Sequence, residues 1–226
     1  MASFGVVLPA AGSGTRFGSD KLMADLCGKP VLLHTVSAFQ QAATVDCIVV
    51  VTRKEMISVF RELLAPYSKV VAVVEGGETR TASVLRGVEA LPSHVSHVSI
   101  HDAARPLLSS AEIDRIHGEA LRYGSVCAAL PVVDTIQQVD DRGYVVHTPP
   151  RSSLLAAVTP QVFPLALYKE ACEKTAGGSF TDDTGMILAA GGSVKTLLCQ
   201  EENFKITTLS DLHRAVALLN QRNGLK

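Results

Sequence analysis

The sequence carries no excess of charge of either sign. Its 21 lysines and arginines face 22 aspartates and glutamates, giving a formal net charge of −1. General nucleic-acid binders show a basic excess or a basic stripe, so no nucleic-acid partner is expected. Long runs of like charge are also missing, which excludes an acidic or basic tail. Cysteine is sparse and scattered at Cys27, Cys47, Cys127, Cys172 and Cys199. The number is odd and no Cys-x-x-Cys occurs, so a disulfide framework and a zinc ribbon are both poor readings. Free thiols in a reducing compartment fit better. Long apolar runs are absent too. Met1–Gly12 has no basic flank, and its short apolar run is broken by Pro9 and Gly12, so it reads as neither a signal peptide nor a membrane span. The chain reads as cytoplasmic, a description that equally fits an organellar protein stripped of its transit peptide. Internal repeats and low-complexity segments are lacking.

What is present is a sizeable core. The chain has 226 residues, 47% of them hydrophobic, enough for a single domain spanning 1–226. Short β-rich runs recur at Phe4–Leu8, Cys47–Val51, Val70–Val74, Val98–His101 and Val126–Leu130. They are continuous rather than alternating, as in parallel strands covered by helices on both faces. Helical patterns lie between them. Pro30 stands where a first turn would begin, and Val84, Leu85, Val88 and Leu91 share a helical face. Ser109-x-x-Glu112 and Thr208-x-x-Asp211 read as helix caps. Further helices are expected at Pro164–Lys174 and Asp182–Ala190, with a strand at Ser193–Leu198. The alternation predicts an α/β fold: a doubly wound, mostly parallel, Rossmann-like sheet with right-handed crossovers.

The rhythm breaks after Pro131. Val132–Val139 alternates apolar and polar residues, Asp140-Asp141-Arg142-Gly143 reads as a turn, and Tyr144–Thr148 alternates again before Pro149-Pro150. This predicts a β-hairpin arm at about residues 132–156 that projects from the domain.

Ala10-Ala11-Gly12-Ser13-Gly14-Thr15-Arg16-Phe17-Gly18 directly follows the first strand. Glycines let backbone N–H groups approach phosphate oxygens. A dinucleotide fingerprint would need glycine where Phe17 stands. A P-loop would need a terminal Gly-Lys-Ser/Thr, which is absent. The nearby cations Arg16 and Lys21 suit a triphosphate whose charge grows during reaction. The plainer alternative is a glycine turn with solvated cations.

His101-Asp102-Ala103-Ala104-Arg105-Pro106 ends a strand, where open sheets bind ligands. Asp102 is the natural Mg²⁺ ligand. Arg105 could pair with Asp102 or hold an acceptor phosphate; the alternative is an ordinary strand-end salt bridge. His101 is assigned no catalytic role, because transfer to a phosphate nucleophile needs no base. Ser83 and neighbouring backbone groups, after Gly76-Gly77, could read a base edge, whereas Lys205 alone reads as a solvated lysine.

Together these pieces resemble the 2-C-methyl-D-erythritol 4-phosphate cytidylyltransferase family. The resemblance rests on Pro-Ala-Ala-Gly-Ser-Gly-Thr-Arg at 9–16, Glu-Gly-Gly-Glu-Thr-Arg at 75–80, His-Asp-Ala-Ala-Arg-Pro at 101–106 and Asp-Thr at 134–135. It continues through Arg151, Thr-Pro-Gln at 159–161, Thr-Asp-Asp at 181–183 and Asn-Phe-Lys-Ile-Thr at 203–207. It implies a nucleotidyltransferase-type sheet and transfer of a cytidylyl group from CTP to a polyol phosphate, with Mg²⁺ as cofactor. By resemblance Arg16, Lys21 and Lys205 are catalytic, stabilising the triphosphate and the reacting phosphorus. Ala10, Ala11, Gly12, Gly14, Gly77, Ser83 and Asp102 would bind the nucleotide, Asp102 also holding the metal. Arg105, Thr135, Arg151 and Thr159 would bind the acceptor, and the arm would clasp a second subunit in a homodimer.

Two segments depart from the family pattern. Asp20-Lys21-Leu22-Met23 stands where Pro-Lys-Gln and an aromatic are usual, and Pro149-Pro150 precedes Arg151 where an Asp is frequent. The rival readings are a ribitol 5-phosphate cytidylyltransferase, a uridylyl- or guanylyltransferase on sugar phosphates, and a non-catalytic nucleotide-binding module. Ala103-Ala104 favours the first-named family over ribitol phosphate.

Overall fold

The computed structural model describes residues 2–12, 20–176, 178, 180–222 and 224. In chain order the elements are β1 (Phe4–Pro9), β2 (Asp25–Leu26), β3 (Lys29–Pro30), α1 (Val31–Gln41) and β4 (Val45–Thr52). Then come α2 (Ile57–Leu64), β5 (Val70–Glu75), α3 (Arg80–Glu89), β6 (His97–Ile100), α4 (Ser110–Tyr123) and β7 (Val126–Pro131). The chain ends with β8 (Gln138–Val139), β9 (Val145–His147), β10 (Leu155–Pro164), α5 (Leu165–Lys174), α6 (Asp183–Ala189), β11 (Lys195–Leu198) and α7 (Leu209–Arg222).

The central sheet has seven strands in the order β11-β7-β10-β6-β1-β4-β5. All neighbours are parallel except β10, which runs antiparallel to both β6 and β7. Valine-rich β1 and β4 sit inside, and their alternate residues feed opposite cores. Val6 and Leu8 pack with Val31, Val36, Phe39 and Phe60 from α1 and α2. Val7 packs with Val84 and Val88 of α3 and Tyr168 of α5. Gly87 is what lets α3 lie this close: a Cβ there would stand 2.5 Å from Val7 Cγ1 and 2.7 Å from Val51 Cγ2.

The caps form unequally. At α7, Thr208 Oγ1 accepts the Asp211 N–H at 3.2 Å while Asp211 Oδ2 accepts the Thr208 N–H at 2.8 Å, a reciprocal box. At α4, Ser109 Oγ accepts the Glu112 N–H, but the Glu112 carboxylate turns away to a two-pronged contact with Arg115 at 2.7 and 2.8 Å. Only half of that box exists, because a charged fork outcompetes a backbone amide for the carboxylate.

Two expectations need correction. The arm's paired strands are much shorter than the alternation predicts, covering only Gln138–Val139 and Val145–His147 around a turn held by Asp140. Alternation alone does not extend a ladder without a third strand or a covering surface, and Val133 (79% exposed) and Tyr144 (68%) have neither here. The arm leaves the sheet after Pro131 and returns at Leu155, which pairs with Pro131. The second correction is β10 itself, a ten-residue strand where no strand was expected. Pro160 inside it breaks the ladder, with the register shifting between Ala157 and Gln161, and a proline normally argues against a central strand.

Candidate nucleotide-binding active site

β6, β1, β4 and β5 are successive neighbours, so the segments leaving their C-terminal ends meet. The Ala10 N–H bonds Val51 O at 2.7 Å, the Gly76 N–H bonds Thr52 O at 2.8 Å, and the His101 N–H bonds Val7 O at 3.0 Å. Between these segments lies a cleft of about 440 Å³. Its floor is Pro9–Gly12 and Ala103–Ala104, and one wall is the start of α3 with Gly77, Arg80 and Ser83. Asp102, Lys21 and Lys205 complete it.

The α3 wall is built by small residues. A Cβ on Gly77 would stand 2.5 Å from Ala82 Cβ, and one on Gly76 would stand 2.8 Å from Ser83 Oγ. Ser83 Oγ accepts the Gly77 N–H at 3.0 Å and donates to Gly77 O at 3.2 Å. Its hydroxyl therefore closes the glycine turn. Thr79 caps α3 by accepting the Ala82 N–H at 3.0 Å, so the positive end of that helix adjoins the cleft.

Asp102 is the electrostatic centre. Its Oδ2 receives Arg105 Nε at 3.1 Å and Lys205 Nζ at 3.2 Å. Burial works to raise its pKa, but Lys205, Arg105 and Arg80 outweigh burial and hold it at about 2. Lys205 reaches this place because its segment docks on the 102–105 turn: the Ile206 N–H bonds Ala104 O at 2.8 Å and Arg105 Nη1 bonds Asn203 O at 2.9 Å. Asn203 Nδ2 donates in turn to Thr159 O at 2.8 Å.

Behind Asp102 a buried chain fixes the backbone. His101 Nε2 donates to Arg105 O at 3.1 Å, so in the neutral ring Nδ1 is the acceptor and takes the Thr159 hydroxyl proton at 3.1 Å. Thr159 Oγ1 accepts the Asp102 N–H at 3.0 Å. Burial lowers the His101 pKa to about 4, which keeps the ring neutral and makes it a spacer.

Not every residue singled out in the sequence reaches the cleft. Ala10, Ala11, Gly12, Lys21, Gly77, Ser83, Asp102 and Lys205 all line it. Gly14 and Arg16 lie outside the described residues. Arg105 stands just behind, its guanidinium committed to Asp102 and Asn203. Thr159 is buried with its hydroxyl facing inward. Thr135 and Arg151 lie on the arm, where Arg151 Nη1 donates to Val133 O at 2.5 Å, and neither lines the cleft of its own chain.

Other residues matter that single-residue reading passed over. Arg80 lines the cleft and pairs with Asp183 at 2.7 Å. Asp183 is 1% exposed and also accepts the Tyr168 hydroxyl at 2.7 Å. Gln161 Oε1 accepts the Asp183 and Thr184 N–H groups, both at 3.1 Å, and its Nε2 donates to Asp182 at 2.9 Å. The 75–80, 159–161 and 181–183 motifs are thus one connected unit. Their signal was present as short polar strings in which Gly77 and Thr159 were assigned roles but Arg80, Gln161 and Asp183 were not.

Among the described residues no group of three or more His, Cys, Asp or Glu is placed to hold a metal, and no helix is long and apolar enough to cross a membrane.

An α/β sheet with a glycine-lined cleft at its strand ends, ringed by lysine and arginine around one carboxylate, defines a nucleotidyltransferase-type enzyme. Residues 4–221 match the family model described as IspD: 2-C-methyl-D-erythritol 4-phosphate cytidylyltransferase, and the chain belongs to that family. The enzyme of that name from Desulforamulus reducens is 40% identical over 99% of this chain and 98% of its own. The Prochlorococcus marinus enzyme is also 40% identical, over 96% and 98%. Among solved structures, a 4-diphosphocytidyl-2C-methyl-D-erythritol synthase from Anaerococcus prevotii superposes with a TM-score of 0.87 at 29% identity, covering 97% of this chain and 96% of that one. The Thermus thermophilus cytidylyltransferase superposes at 0.77 with 32% identity, over 96% and 98%. The chain is therefore a transferase of isoprenoid biosynthesis.

Proposed function

We propose that this chain transfers the cytidylyl group of CTP to 2-C-methyl-D-erythritol 4-phosphate with release of pyrophosphate, as a Mg²⁺-dependent homodimer in the cytoplasm. The observation that carries the reading is the pair of lysines, Lys21 and Lys205, lining one glycine-floored cleft with Asp102.

The nucleophile is a phosphate monoester oxygen, already anionic at neutral pH. The reaction therefore calls for in-line positioning and charge neutralisation rather than a base. His101 suits that account, being buried and hydrogen-bonded on both nitrogens. Backbone groups of Ala10, Ala11, Gly12 and Gly77 hold the nucleoside and inner phosphates, with Gly14 joining them. Lys21, Lys205 and Arg16 meet the charge that develops on the α-phosphate and the departing pyrophosphate.

Asp102 fits a Mg²⁺ site of the kind completed by substrate. Arg105 and Lys205 both meet the carboxylate through Oδ2. Mg²⁺ is held by one or two carboxylates plus phosphate oxygens, so a single carboxylate on the cleft wall is the appropriate protein contribution. When bound there it supplies charge neutralisation to the phosphates.

The arm supports a homodimer. Val133, Tyr144 and Val146 are 79%, 68% and 59% exposed on a hairpin with two very short strands, and an isolated hairpin of that kind is marginal in water. A second copy covering it would also bring Thr135 and Arg151 to an acceptor site that one chain alone leaves without them. Arg105 and Thr159 serve the acceptor side indirectly, by holding the turn and strand that face it.

The test is pyrophosphate release with CTP and Mg²⁺, comparing methylerythritol phosphate with ribitol phosphate. Turnover with the first alone is the expected result. Turnover only with ribitol phosphate would move the acceptor, and turnover with neither would overturn the reading.

A further inference from the structure

The chain leaves β1 at Ala10, pinned to Val51 O at 2.7 Å. It returns to the described structure at Asp20, whose Oδ2 lies 2.9 Å from Nη2 of Arg53. Val51 and Arg53 are two positions apart at the C-terminal end of β4, so both ends of the glycine loop are fastened to one strand end. The second fastening is a side-chain ion pair with the two side chains 34% and 25% exposed.

Asp20 does more than meet Arg53. Its Oδ1 accepts the Leu22 N–H at 3.1 Å, and its carbonyl accepts the Met23 N–H at 3.0 Å. Leu22 is buried, and its carbonyl accepts the Leu32 N–H at 3.0 Å. Lys21 is therefore held between a clamped residue before it and a core residue after it, and it lines the cleft. Arg53 also meets Glu55, with Nε 3.4 Å from Oε1.

We propose that the Asp20–Arg53 pair is a positioning clamp for Lys21, and that it sets how well the enzyme handles the nucleoside triphosphate while leaving the acceptor untouched. This rests on the function proposed above for Lys21. Neither Asp20 nor Arg53 touches substrate; they act through the backbone of residues 20–23. In the absence of the clamp, the residue before Lys21 loses its ion pair to the end of β4, and the Lys21 backbone is held less closely at the cleft. The clamp occupies the segment where the chain departs from its family's usual Pro-Lys-Gln, and an ion pair there fixes the residue before the lysine by charge.

The experiment is a double-mutant cycle on the full-length protein with Asp20→Asn, Arg53→Met and the double variant. Two readouts are taken: steady-state kinetics in CTP and in acceptor, and hydrogen exchange of the Leu22 and Met23 amides in the nucleotide-free protein. Each single variant is expected to lose about twofold to fivefold in kcat/KM for CTP, the range a part-exposed ion pair supports, with the acceptor KM unchanged. The double variant is expected to be no worse than either single one, and amide exchange at 22–23 is expected to quicken in all three. Additive losses in the double variant, a raised acceptor KM, or unchanged exchange would each overturn the clamp. Faster exchange with undiminished kcat/KM would also overturn it, since the pair would then be structural only. If the wild-type enzyme shows no CTP turnover, the functional reading fails by itself, and the exchange cycle still decides whether the pair holds the 20–23 turn.

Discussion

Gln161 Oε1 lies 3.1 Å from the backbone nitrogens of both Asp183 and Thr184, so one side chain on β10 satisfies the first two amides of α6. Those amides have no partner within their own helix. Gln161→Leu leaves them buried and unsatisfied and is expected to destabilise the fold by about 1–3 kcal/mol. Urea unfolding monitored by circular dichroism checks this. Because the same helix end presents Asp183 to Arg80, the variant should also lose turnover at temperatures where it remains folded. A stability change below about 0.5 kcal/mol would mean that water replaces the amide without loss.

Lys205→Met and Lys21→Ala should lower kcat by roughly 10²–10³ with modest loss of CTP affinity, as for removal of a group that meets developing charge. Lys205→Met also withdraws a cation from Asp102 Oδ2, which Arg105 alone then satisfies. Rapid-quench single-turnover kinetics separates the chemical step from binding. Near-normal turnover in both variants would remove the lysines from the chemistry.

Acid should weaken the fold in two stages. His101 and His117 are buried with pKa values lowered to about 4, below the ordinary 6.5, by burial first of all. A lowered pKa means that the unfolded chain takes up protons the folded chain refuses. Stability is therefore full above about pH 6.5 and falls as pH drops toward 4, by up to about 3 kcal/mol per histidine. Asp102 follows: its pKa of about 2 against an ordinary 3.8 makes its contribution complete above pH 3.8 and lost as pH falls through 2. Urea midpoints measured from pH 7.5 to 4.5 should fall, with more than one proton taken up on unfolding. A flat profile would contradict the buried neutral imidazoles.

Arg151→Ala should raise the KM for the acceptor and leave that for CTP near its original value, since Arg151 stands on the arm and not in the cleft of its own chain. Charging the arm with Tyr144→Asp and Val146→Asp should shift sedimentation toward monomer and depress acceptor turnover in parallel. A monomer that keeps full activity would place the acceptor site within one chain.

Much of this architecture was legible in the sequence. Continuous valine runs located β1, β4, β5, β6 and β7 within a residue or two, and Thr208-x-x-Asp211 located the start of α7. The residues that line the cleft came from strings after strands, because backbone-binding loops need small residues that stand out in a sequence. β10 was hidden, because its pairing with two neighbours depends on strands far away in the chain, and Pro160 masked its pattern. The inward turn of the Ser83 and Thr159 hydroxyls was also hidden. That a serine also closes its own glycine turn shows only when its neighbours are placed. The Arg80–Asp183 pair joins residues from two distant motifs, and nothing local in either marks the other as its partner.

The placement of β10 has a consequence for how the molecule holds together. The stretch up to Pro131 contributes β6 and β7, and β10, which returns after the arm, lies between them. Neither stretch owns a finished site: Asp102 comes from the first, and Thr159, Asn203 and Lys205 come from the second. A chain cut within the arm therefore yields two pieces that are each other's missing part, one with an open slot and the other with the strand that fills it. They should reassemble when mixed, and recovery of the cleft would report the insertion of that one strand.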